Sequence, residues 1–460
     1  MRDISEFFAC EGDYSDLDIS GASQRLSDAI KCRTVNDGKD YSAFSELQSI
    51  MRQGFPALMS KASFELIGHS VLITVTGTDR GLSPALFMSH QDVVPVVKGT
   101  EGDWTYPPFS GVVADGFIWG RGTLDIKQMV FGILEAAEYL LSHGKSFRRT
   151  VYFAFGEDEE TYNTGAQAIS DVLKSRGVRL EFLLDEGGGI ISSGSPYGAP
   201  DIFISDVAIM EKGYADLELS VKSQGGHSSR PFGGTSLGRL AEAISAIVND
   251  PFPAELSPTI HASFDALKPY ITQEPIKSLV GDLENNPAAL AEYCLGVPEL
   301  FPQVTTTIAP TMISGSSAAC NVMPQDMKAV VNLRIAEGHD HHEVIEHCAE
   351  AVKNGQVSLR FLQANDPSQT ARTDGYGYAK LVEAMSRYYK DVVFIPGMSV
   401  GATDAHCYEQ ICDVCLRCSP FMGNEAEVRR GVHGTDEKIS VRAYAQGIKT
   451  LIFLMESSCL

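Results

Sequence analysis

A histidine at the end of an apolar run, His90, is a candidate metal ligand. The run 85–88 predicts a short buried strand, and His90 follows it closely. Asp92 lies two residues further on, near enough to orient the imidazole as metal-bound histidines usually require. An isolated His-x-Asp pair is also typical of an ordinary loop, so its meaning depends on the residues downstream.

Further acids and a second histidine stand at similar places. Asp125 precedes an amphipathic helix that begins near residue 129, and Glu157–Glu160 follow the apolar run 150–155. Asp185–Glu186 follow the run 180–184, and His433 lies in a Gly-bounded loop before the last helix. Taken singly, each has a plain structural interpretation as a helix-capping acid, an exposed turn or a capping-loop histidine.

Considered together, these residues fall on successive strand ends of one α/β unit. Their carboxylates and imidazoles would suffice for two divalent ions, with zinc favoured. In sites of that kind one carboxylate bridges two ions about 3.5–4 Å apart, and a bridging water is the nucleophile. The predicted ligands are His90, Asp125, Glu160, Asp185 and His433.

The elements that would carry these residues alternate between strand and helix. Strands are predicted at 64–76, 85–90, 150–155 and 180–184, with helices over 129–141 and 166–176. This order predicts a doubly wound α/β domain with a mostly parallel sheet. Near Lys212 the pattern changes to alternating strands and a Gly-rich turn, which predicts an inserted α+β domain with a helical elaboration at 255–298. The predicted division is 1–210 and 366–460 for the catalytic α/β domain, and 211–365 for the insert.

Composition limits the classes of function. With 59 acidic against 37 basic residues, the formal net charge of −22 disfavours nucleic-acid binding and attachment to anionic membranes. The segment 1–10 carries acids where a signal peptide needs a basic flank, and no apolar run approaches the roughly 18 residues of a membrane span. The ten Cys residues form no paired framework, so we expect reduced thiols and a cytoplasmic location.

Six motifs in one order resemble the M20 family of dinuclear zinc exopeptidases and aminoacylases. The resemblance is greatest to the carboxypeptidase S branch, which includes N-fatty-acyl amino acid hydrolases, and it spans about residues 60–450. The motifs are Ser-His-Gln-Asp-Val-Val-Pro (89–95), Gly-Arg-Gly-Thr-Leu-Asp (120–125), Phe-Gly-Glu-Asp-Glu-Glu (155–160), Leu-Asp-Glu-Gly-Gly (184–188), Gly-Gly-His-Ser-Ser-Arg-Pro (225–231) and Val-His-Gly-Thr-Asp-Glu-Lys (432–438).

The resemblance implies a role for each predicted metal ligand. His90 would bind one zinc ion and His433 the other, with Asp125 bridging them. Glu160 and an acid of the Asp185–Glu186 turn would complete the two sites. Relatives use either acid at this turn, and we favour Asp185.

The resemblance also implies the catalytic residues. Asp92 would hold His90, and Glu159 would be the general base that takes a proton from the bridging water and passes it to the leaving amine. The lid motif would place His227 over the scissile carbonyl to stabilise the oxyanion, from the other subunit in dimeric relatives. A homodimer is therefore expected as one possibility.

Substrate-binding residues are implied in the insert and after it. Asn321 and Arg334 stand where relatives hold the substrate carboxylate, although Arg334 also fits an ordinary strand-edge arginine. Thr403 belongs to a loop, 401–405, that lines the pocket for the C-terminal residue. The segment 161–165 departs from the Gly-rich turn usual in the family, which alters the loop beside the ligands.

Two other clusters could suggest metal binding. Cys412, Cys415 and Cys418 have overlapping Cys-x-x-Cys spacings, but the run is apolar and strand-like, which favours buried free thiols. The histidines at 339, 341, 342 and 347 open a predicted helix, and a solvated face is the favoured interpretation.

The sequence thus predicts a dizinc hydrolase that releases the C-terminal residue of small peptides or cleaves N-acyl amino acids. The alternative is a non-catalytic binding or scaffold relative of the same fold. It is disfavoured because no ligand is missing and Glu159 is present. An aminopeptidase is disfavoured because His227 and Arg334 indicate a lid that grips a carboxylate.

Overall fold

The structure is a computed structural model that describes residues 3–460, so residues 1 and 2 of the N-terminal segment lie outside the described residues. Its strands are β1 (Ser63–Ile67), β2 (Ser70–Val75), β3 (Ala85–His90), β4 (Val113–Ala114), β5 (Phe117–Trp119), β6 (Val151–Gly156), β7 (Phe182–Asp185), β8 (Ile190–Ser193), β9 (Phe203–Glu211), β10 (Gly213–Lys222), β11 (Gly226–His227), β12 (Thr307–Ser314), β13 (Val322–Met323), β14 (Asp326–Ile335), β15 (Val357–Asn365), β16 (Val392–Ser399), β17 (Cys415–Arg417), β18 (Gly423–Asn424) and β19 (Lys438–Ser440). Its helices are α1 (Ile19–Lys31), α2 (Ser42–Gly54), α3 (Pro56–Lys61), α4 (Lys127–Ser142), α5 (Thr164–Ser175), α6 (Ser236–Val248), α7 (Pro258–Leu267), α8 (Ile276–Gly281), α9 (Pro287–Leu295), α10 (Phe301–Val304), α11 (His341–Val352), α12 (Tyr376–Tyr388), α13 (Glu425–Gly431) and α14 (Val441–Cys459).

Within residues 3–460, ten strands form one large sheet. The hydrogen-bonded order is β1-β2-β6-β3-β7-β17-β9-β8-β18, with β16 beside β9. Strands β6, β3, β7 and β17 are parallel to one another. Because parallel strands end at the same edge, the residues after β3, β6 and β7 meet there. The predicted α/β fold with a mostly parallel central sheet is confirmed.

Both faces of this sheet are buried, which explains the unbroken apolar runs of its central strands. Side chains of β3 point alternately to the two faces. Ala85 and Phe87 pack in the core that contains α1, α4 and α14. Leu86 and Met88 pack in the core that contains α5. This double cover holds the end of β3, and with it His90, in a fixed position.

The single strand predicted over residues 64–76 is two strands joined in a hairpin. The run 64–76 divides into the antiparallel pair β1 and β2, with Ile67 opposite Ser70. Gly68 makes the turn with a φ of 64°, a conformation that glycine adopts without strain. A Gly inside an alternating run is the signal by which the sequence could have indicated the turn.

A second, four-stranded antiparallel sheet has the order β12-β14-β10-β15. All its strands come from the predicted insert, and α6 and α11 cover one face through a separate apolar core. The other face is more open to solvent, as the alternating burial along β14 indicates.

Helices α7 to α10 pack differently from the expectation that this segment elaborates the insert. Ile260 and Phe264 of α7 share a core with Ile204 of β9 and Ile395 of β16, at one side of the large sheet. Ser263 also donates to the backbone carbonyl of Pro396, at 2.6 Å. The segment from α7 to α10 therefore belongs to the large sheet by packing.

Within residues 3–460, no helix has both the length and the apolar character that spanning a bilayer would need.

Candidate metal centre

His90 is the most buried of the residues that could bind a metal ion directly, with 1% of its surface exposed. Its Nδ1 lies 3.0 Å from the backbone carbonyl of Asp92, which can only accept, so Nδ1 carries the hydrogen. Nε2 is therefore the ring nitrogen left for a proton or a metal ion, and it has no hydrogen-bond partner. It faces Asp125 Oδ1 at 3.2 Å and Glu186 Oε1 at 3.1 Å. Burial by itself would lower the pKa of His90, but Glu186, Asp125 and Asp92 outweigh it and raise that pKa well above its usual value.

Asp125, just before α4, faces two histidines with its two oxygens. Oδ1 points to His90, and Oδ2 lies 3.0 Å from His433 Nε2. Glu160 Oε1 lies 3.1 Å from the same atom of His433. Hydrogen bonds to Asp125 and Glu160 raise the pKa of His433 to about 10. His433 is half exposed, so this side of the site is open to solvent.

Glu186 takes the place beside His90 that the sequence analysis favoured for Asp185. Asp185 is the last residue of β7 and only 1% exposed, and its Oδ1 accepts the backbone N–H of Glu186. Successive residues of a strand point to opposite faces, so only one of two adjacent acids can reach His90. Burial raises the pKa of Glu186 to about 7, against the opposing effect of His90.

Asp92 contacts both His90 and the turn that carries Glu159 and Glu160. The sequence predicted only that it would orient His90. Its Oδ1 lies 3.3 Å from His90 Nδ1. Its two oxygens also accept the backbone N–H groups of Glu159 and Glu160, at 3.2 and 3.1 Å. The carboxylate therefore holds the turn after β6 against the end of β3.

Glu159 lies next to the ligand residues without joining either cluster. Its Oε2 is 3.9 Å from His90 Nε2, and the side chain is 13% exposed. Burial and neighbouring carboxylates, Glu186 among them, raise the pKa of Glu159 well above its usual value, although His90 opposes the rise. This carboxyl group is thus placed to exchange a proton with a molecule bound beside His90.

A buried ion pair between Arg121 and Glu437, to which no role was predicted from the sequence, joins the loops of Asp125 and His433. Arg121 Nη1 contacts Glu437 Oε2 at 2.5 Å, and its Nη2 donates to the carbonyl of His433 at 3.1 Å. Glu437 Oε1 accepts from the backbone N–H groups of the other loop, those of Gly122, Leu124 and Asp125. Both residues stand inside quoted motifs, but nothing in their spacing indicates that they meet.

The residues brought together fit a pair of divalent cations. One group is His90, Asp125 and Glu186 and the other Asp125, Glu160 and His433, with ligand atoms in each group within 4.8 Å of one another. Imidazole nitrogen and carboxylate oxygen are zinc ligands, and a buried Nε2 without a hydrogen-bond partner needs a proton or a cation. Asp125 is common to both groups, as a bridging ligand would be.

The residues predicted in the lid lie apart from this cluster. His227 is exposed on β11, where its Nδ1 contacts Ser229 Oγ at 2.8 Å, and it pairs in register with Val322. Asn321, the residue before β13, is exposed, and its backbone carbonyl accepts the N–H of Ser228. Arg334 lies on β14 with its guanidinium 4.7 Å from the centre of the Tyr214 ring. In the part of the chain described, no hydrogen bond or ion pair links these three to the two metal groups.

Thr403 does not face the site as the sequence analysis expected. Its side chain is 4% exposed, its hydroxyl donates to Glu211 Oε2 at 2.7 Å, and it lies 3.2 Å from Arg417 Nε. Gly401, two residues earlier, does line the cavity of about 630 Å³ that contains Asp125 and Glu186. A polar residue in a loop can turn inward when a buried ion pair offers it partners.

The other two clusters are not metal sites by geometry. The cysteines at 412, 415 and 418 are buried free thiols, as expected. His339 lies between two carboxylates, 3.3 Å from Glu255 and 3.0 Å from Glu343, on the surface. Among the described residues, neither cluster forms a group of three ligands.

The sequence matches the model of one protein family. Residues 86–457 match "Peptidase family M20/M25/M40". The chain is 33% identical to the human N-fatty-acyl-amino acid synthase/hydrolase PM20D1 over 449 residues, which is 95% of this chain and 87% of that protein. It is 30% identical to the probable carboxypeptidase S-like 2 of Dictyostelium discoideum over 463 residues, with 96% and 86% covered.

Solved structures have the same fold. The M20 family metallo-carboxypeptidase Sso-CP2 of Sulfolobus solfataricus superposes with a TM-score of 0.68 at 18% identity, covering 94% of this chain and 98% of that chain. Human carnosine dipeptidase 1 gives a TM-score of 0.66 at 16% identity, covering 97% and 98%. The chain therefore belongs to peptidase family M20/M25/M40 and is a hydrolytic enzyme.

Proposed function

We propose that this enzyme holds two zinc ions and cleaves the amide bond of N-acyl amino acids or the C-terminal peptide bond of small peptides. The observation that carries the proposal is the position of Asp125, whose two oxygens lie 3.2 and 3.0 Å from the Nε2 atoms of His90 and His433. Relatives named as N-fatty-acyl-amino acid synthase/hydrolases and as carboxypeptidases support both substrate classes.

His90, Asp125 and Glu186 would hold one ion, and Asp125, Glu160 and His433 the other. Two bound ions would polarise a substrate carbonyl and lower the pKa of a water molecule. The donor set suits zinc, which prefers nitrogen and carboxylate ligands in a site with an open position.

Glu159 moves the proton in this proposal. Its Oε2 takes a proton from the attacking water and returns it to the nitrogen of the leaving amine, so one group acts first as base and then as acid. A raised pKa suits this exchange, because a strongly acidic carboxyl group would not hold the proton long enough to deliver it. Asp92 keeps the Glu159 backbone in place.

The test is the Glu159→Gln variant. We expect it to lose about 10²–10⁴-fold in kcat, the usual contribution of a general base, and to keep its bound zinc. Glu157→Gln is the matched control on the same turn, because the Glu157 carboxyl group accepts from Ser70 and does not join the metal groups. Full activity of Glu159→Gln on peptides and N-acyl amino acids would contradict the proposed role.

The amino acid released would carry a free carboxylate. We keep Asn321 and Arg334 as its proposed binding residues, and His227 as a group that reaches a reacting carbonyl across a homodimer. Sedimentation of the purified enzyme, together with mixing of Glu159→Gln and His227→Ala subunits, tests the last point. Recovery of activity in the mixture is expected if His227 serves the partner's site.

A further inference from the structure

The position of the Glu159 carboxylate depends on the backbone that carries it. Within residues 3–460 no group donates a hydrogen bond to this carboxylate, and its Oε2 lies 3.9 Å from His90 Nε2. A displacement of about 1 Å in a reacting group can cost about 10²-fold in rate. The contacts that hold the turn 158–163, on which Glu159 lies, therefore bear on catalysis.

This turn is closed on one backbone carbonyl. The N–H groups of Thr161, Tyr162 and Asn163 all donate to the carbonyl of Asp158, at 3.2, 2.8 and 2.9 Å. Asp92 fixes only the first half of the turn, where it accepts two backbone N–H groups. The second half therefore depends on a different contact.

Asn163 ends the turn in a left-handed conformation, with a φ of 54°. Asparagine adopts this conformation more readily than most residues that carry a side chain. The carboxylate of Asp158 already caps α5 by accepting its first backbone N–H groups. The side chain of Asn163 instead points to a distant part of the chain, where its Nδ2 donates to Asp404 Oδ1 at 2.9 Å.

Asp404 is a firmly held partner for Asn163. It is 1% exposed and begins a short 3-10 helix, Asp404–Tyr408. Ala405 and Tyr408 of this helix are fully buried in the core that contains α5. A side chain at position 156 would overlap Asp404 Oδ2, so the carboxylate lies directly against Gly156, the last residue of β6. Asp404 is thus fixed beneath the strand from which the turn emerges.

The segment that precedes Asp404 borders the cavity of the metal centre. Gly401 lines this cavity. Thr403 is anchored to the buried carboxylate of Glu211, at 2.7 Å. One anchored segment therefore both borders the cavity and contacts the turn that carries Glu159.

We propose that Asn163 and Asp404 form a positioning pair that holds the turn after β6 and so keeps the Glu159 carboxylate at its reaction distance. The inference rests on the proposed role of Glu159 as the general base. Glu160, on the same turn, depends less on the pair because its own carboxylate contacts His433 at 3.1 Å. The pair therefore acts on proton transfer more than on metal binding.

The Asn163→Gly variant removes the side chain and keeps the left-handed backbone, which glycine adopts without strain. We expect kcat for an N-acyl amino acid to fall about 10-fold, part of the roughly 10²-fold cost of a 1 Å displacement. KM and zinc content should stay at their wild-type values. Asp115→Gly is the matched control, because Asp115 has the same φ of 54° in the turn between β4 and β5, and its kcat should be unchanged.

Reversing the pair tests the hydrogen bond itself. Asn163→Asp places two carboxyl groups face to face and should lower kcat at least as far as Asn163→Gly does. Adding Asp404→Asn restores a donor opposite an acceptor with side chains of the same size, so the double variant should recover most of the lost kcat. A double variant no faster than Asn163→Asp alone overturns the inference.

Hydrogen exchange of the enzyme without substrate tests the pair independently of activity. Asp404→Ala lies 241 residues from Asn163, yet the backbone amides of 157–163 should exchange faster in this variant than in the wild type. Unchanged exchange in folded Asp404→Ala, verified by thermal melting, overturns the inference. It is also overturned if Asn163→Gly keeps the wild-type kcat, or if its lost activity follows a loss of zinc.

A failure of the proposed function gives a different result. No hydrolysis of any peptide or N-acyl amino acid by the zinc-loaded wild-type enzyme overturns that function. The exchange measurement does not depend on hydrolysis, so it still decides whether Asn163 and Asp404 hold the turn.

Discussion

The buried carboxylate of Glu437 is expected to hold the two metal-binding loops together. It pairs with Arg121, which in turn donates to the carbonyl of His433. Its Oε1 lies 2.7–3.2 Å from the backbone nitrogens of the loop that carries the bridging carboxylate, those of Gly122, Leu124 and Asp125. Glu437 is fully buried and Arg121 is 2% exposed, so solvent cannot replace either partner.

The Glu437→Gln variant keeps the size of the side chain and removes its charge. The new amide would turn an N–H group toward the Arg121 guanidinium, and both groups are hydrogen-bond donors. The guanidinium would then stay buried without a counter-ion. Breaking a buried pair in this way costs about 3–5 kcal/mol of unfolding free energy. Loss of a residue that supports metal ligands typically weakens metal binding about 10–100-fold.

Chelator competition for zinc and denaturant unfolding measure the two effects. Glu65→Gln is the control, because Glu65 pairs in the same two-pronged way with Arg176 on the surface and should cost at most about 1 kcal/mol. Zinc affinity within twofold of wild type in Glu437→Gln would refute the role of this residue in joining the loops.

Three further predictions concern other parts of the chain. Glu186→Gln should lose about one of the two bound ions while Asp185→Asn keeps both, as metal analysis of dialysed protein would reveal. Burial and the nearby Arg334 charge lower the pKa of Lys212 from 10.5 to about 7. Between these pH values the unfolded chain holds a proton that the folded chain has released, so the cost of burying this amine falls and the free energy of unfolding rises with pH. Lys212→Met should remove that rise in denaturant titrations. Thiol titration of the native protein should detect Cys10 and Cys320 and, before unfolding, none of the eight buried cysteines.

Much of the site could be predicted because its residues follow buried strands. The apolar runs before His90, Glu157–Glu160 and Asp185 are continuous, as expected for strands covered on both faces, and such strands end at one edge. The choice between Asp185 and Glu186 could not be made, because adjacent residues at a strand end point to opposite faces and the sequence does not say which face holds the other ligands.

The structure also differs from the sequence predictions where contacts join residues that are far apart in the chain. Arg121 and Glu437 are separated by 316 residues, and only the fold brings them into contact. Thr403 turned inward for the same reason, since its partners Glu211 and Arg417 lie on β9 and β17. Helices α7 to α10 pack on the large sheet because their apolar residues match those of β9 and β16, a match that periodicity along the chain does not reveal.

Metal analysis of the wild-type enzyme and of Asp125→Ala measures whether two ions share Asp125 as a ligand. Asp125 is common to both ligand groups, so we expect about two zinc ions per wild-type chain and fewer than one in the variant, which should also be inactive. A wild-type chain that binds a single ion, or an Asp125→Ala chain that still binds two, would contradict it.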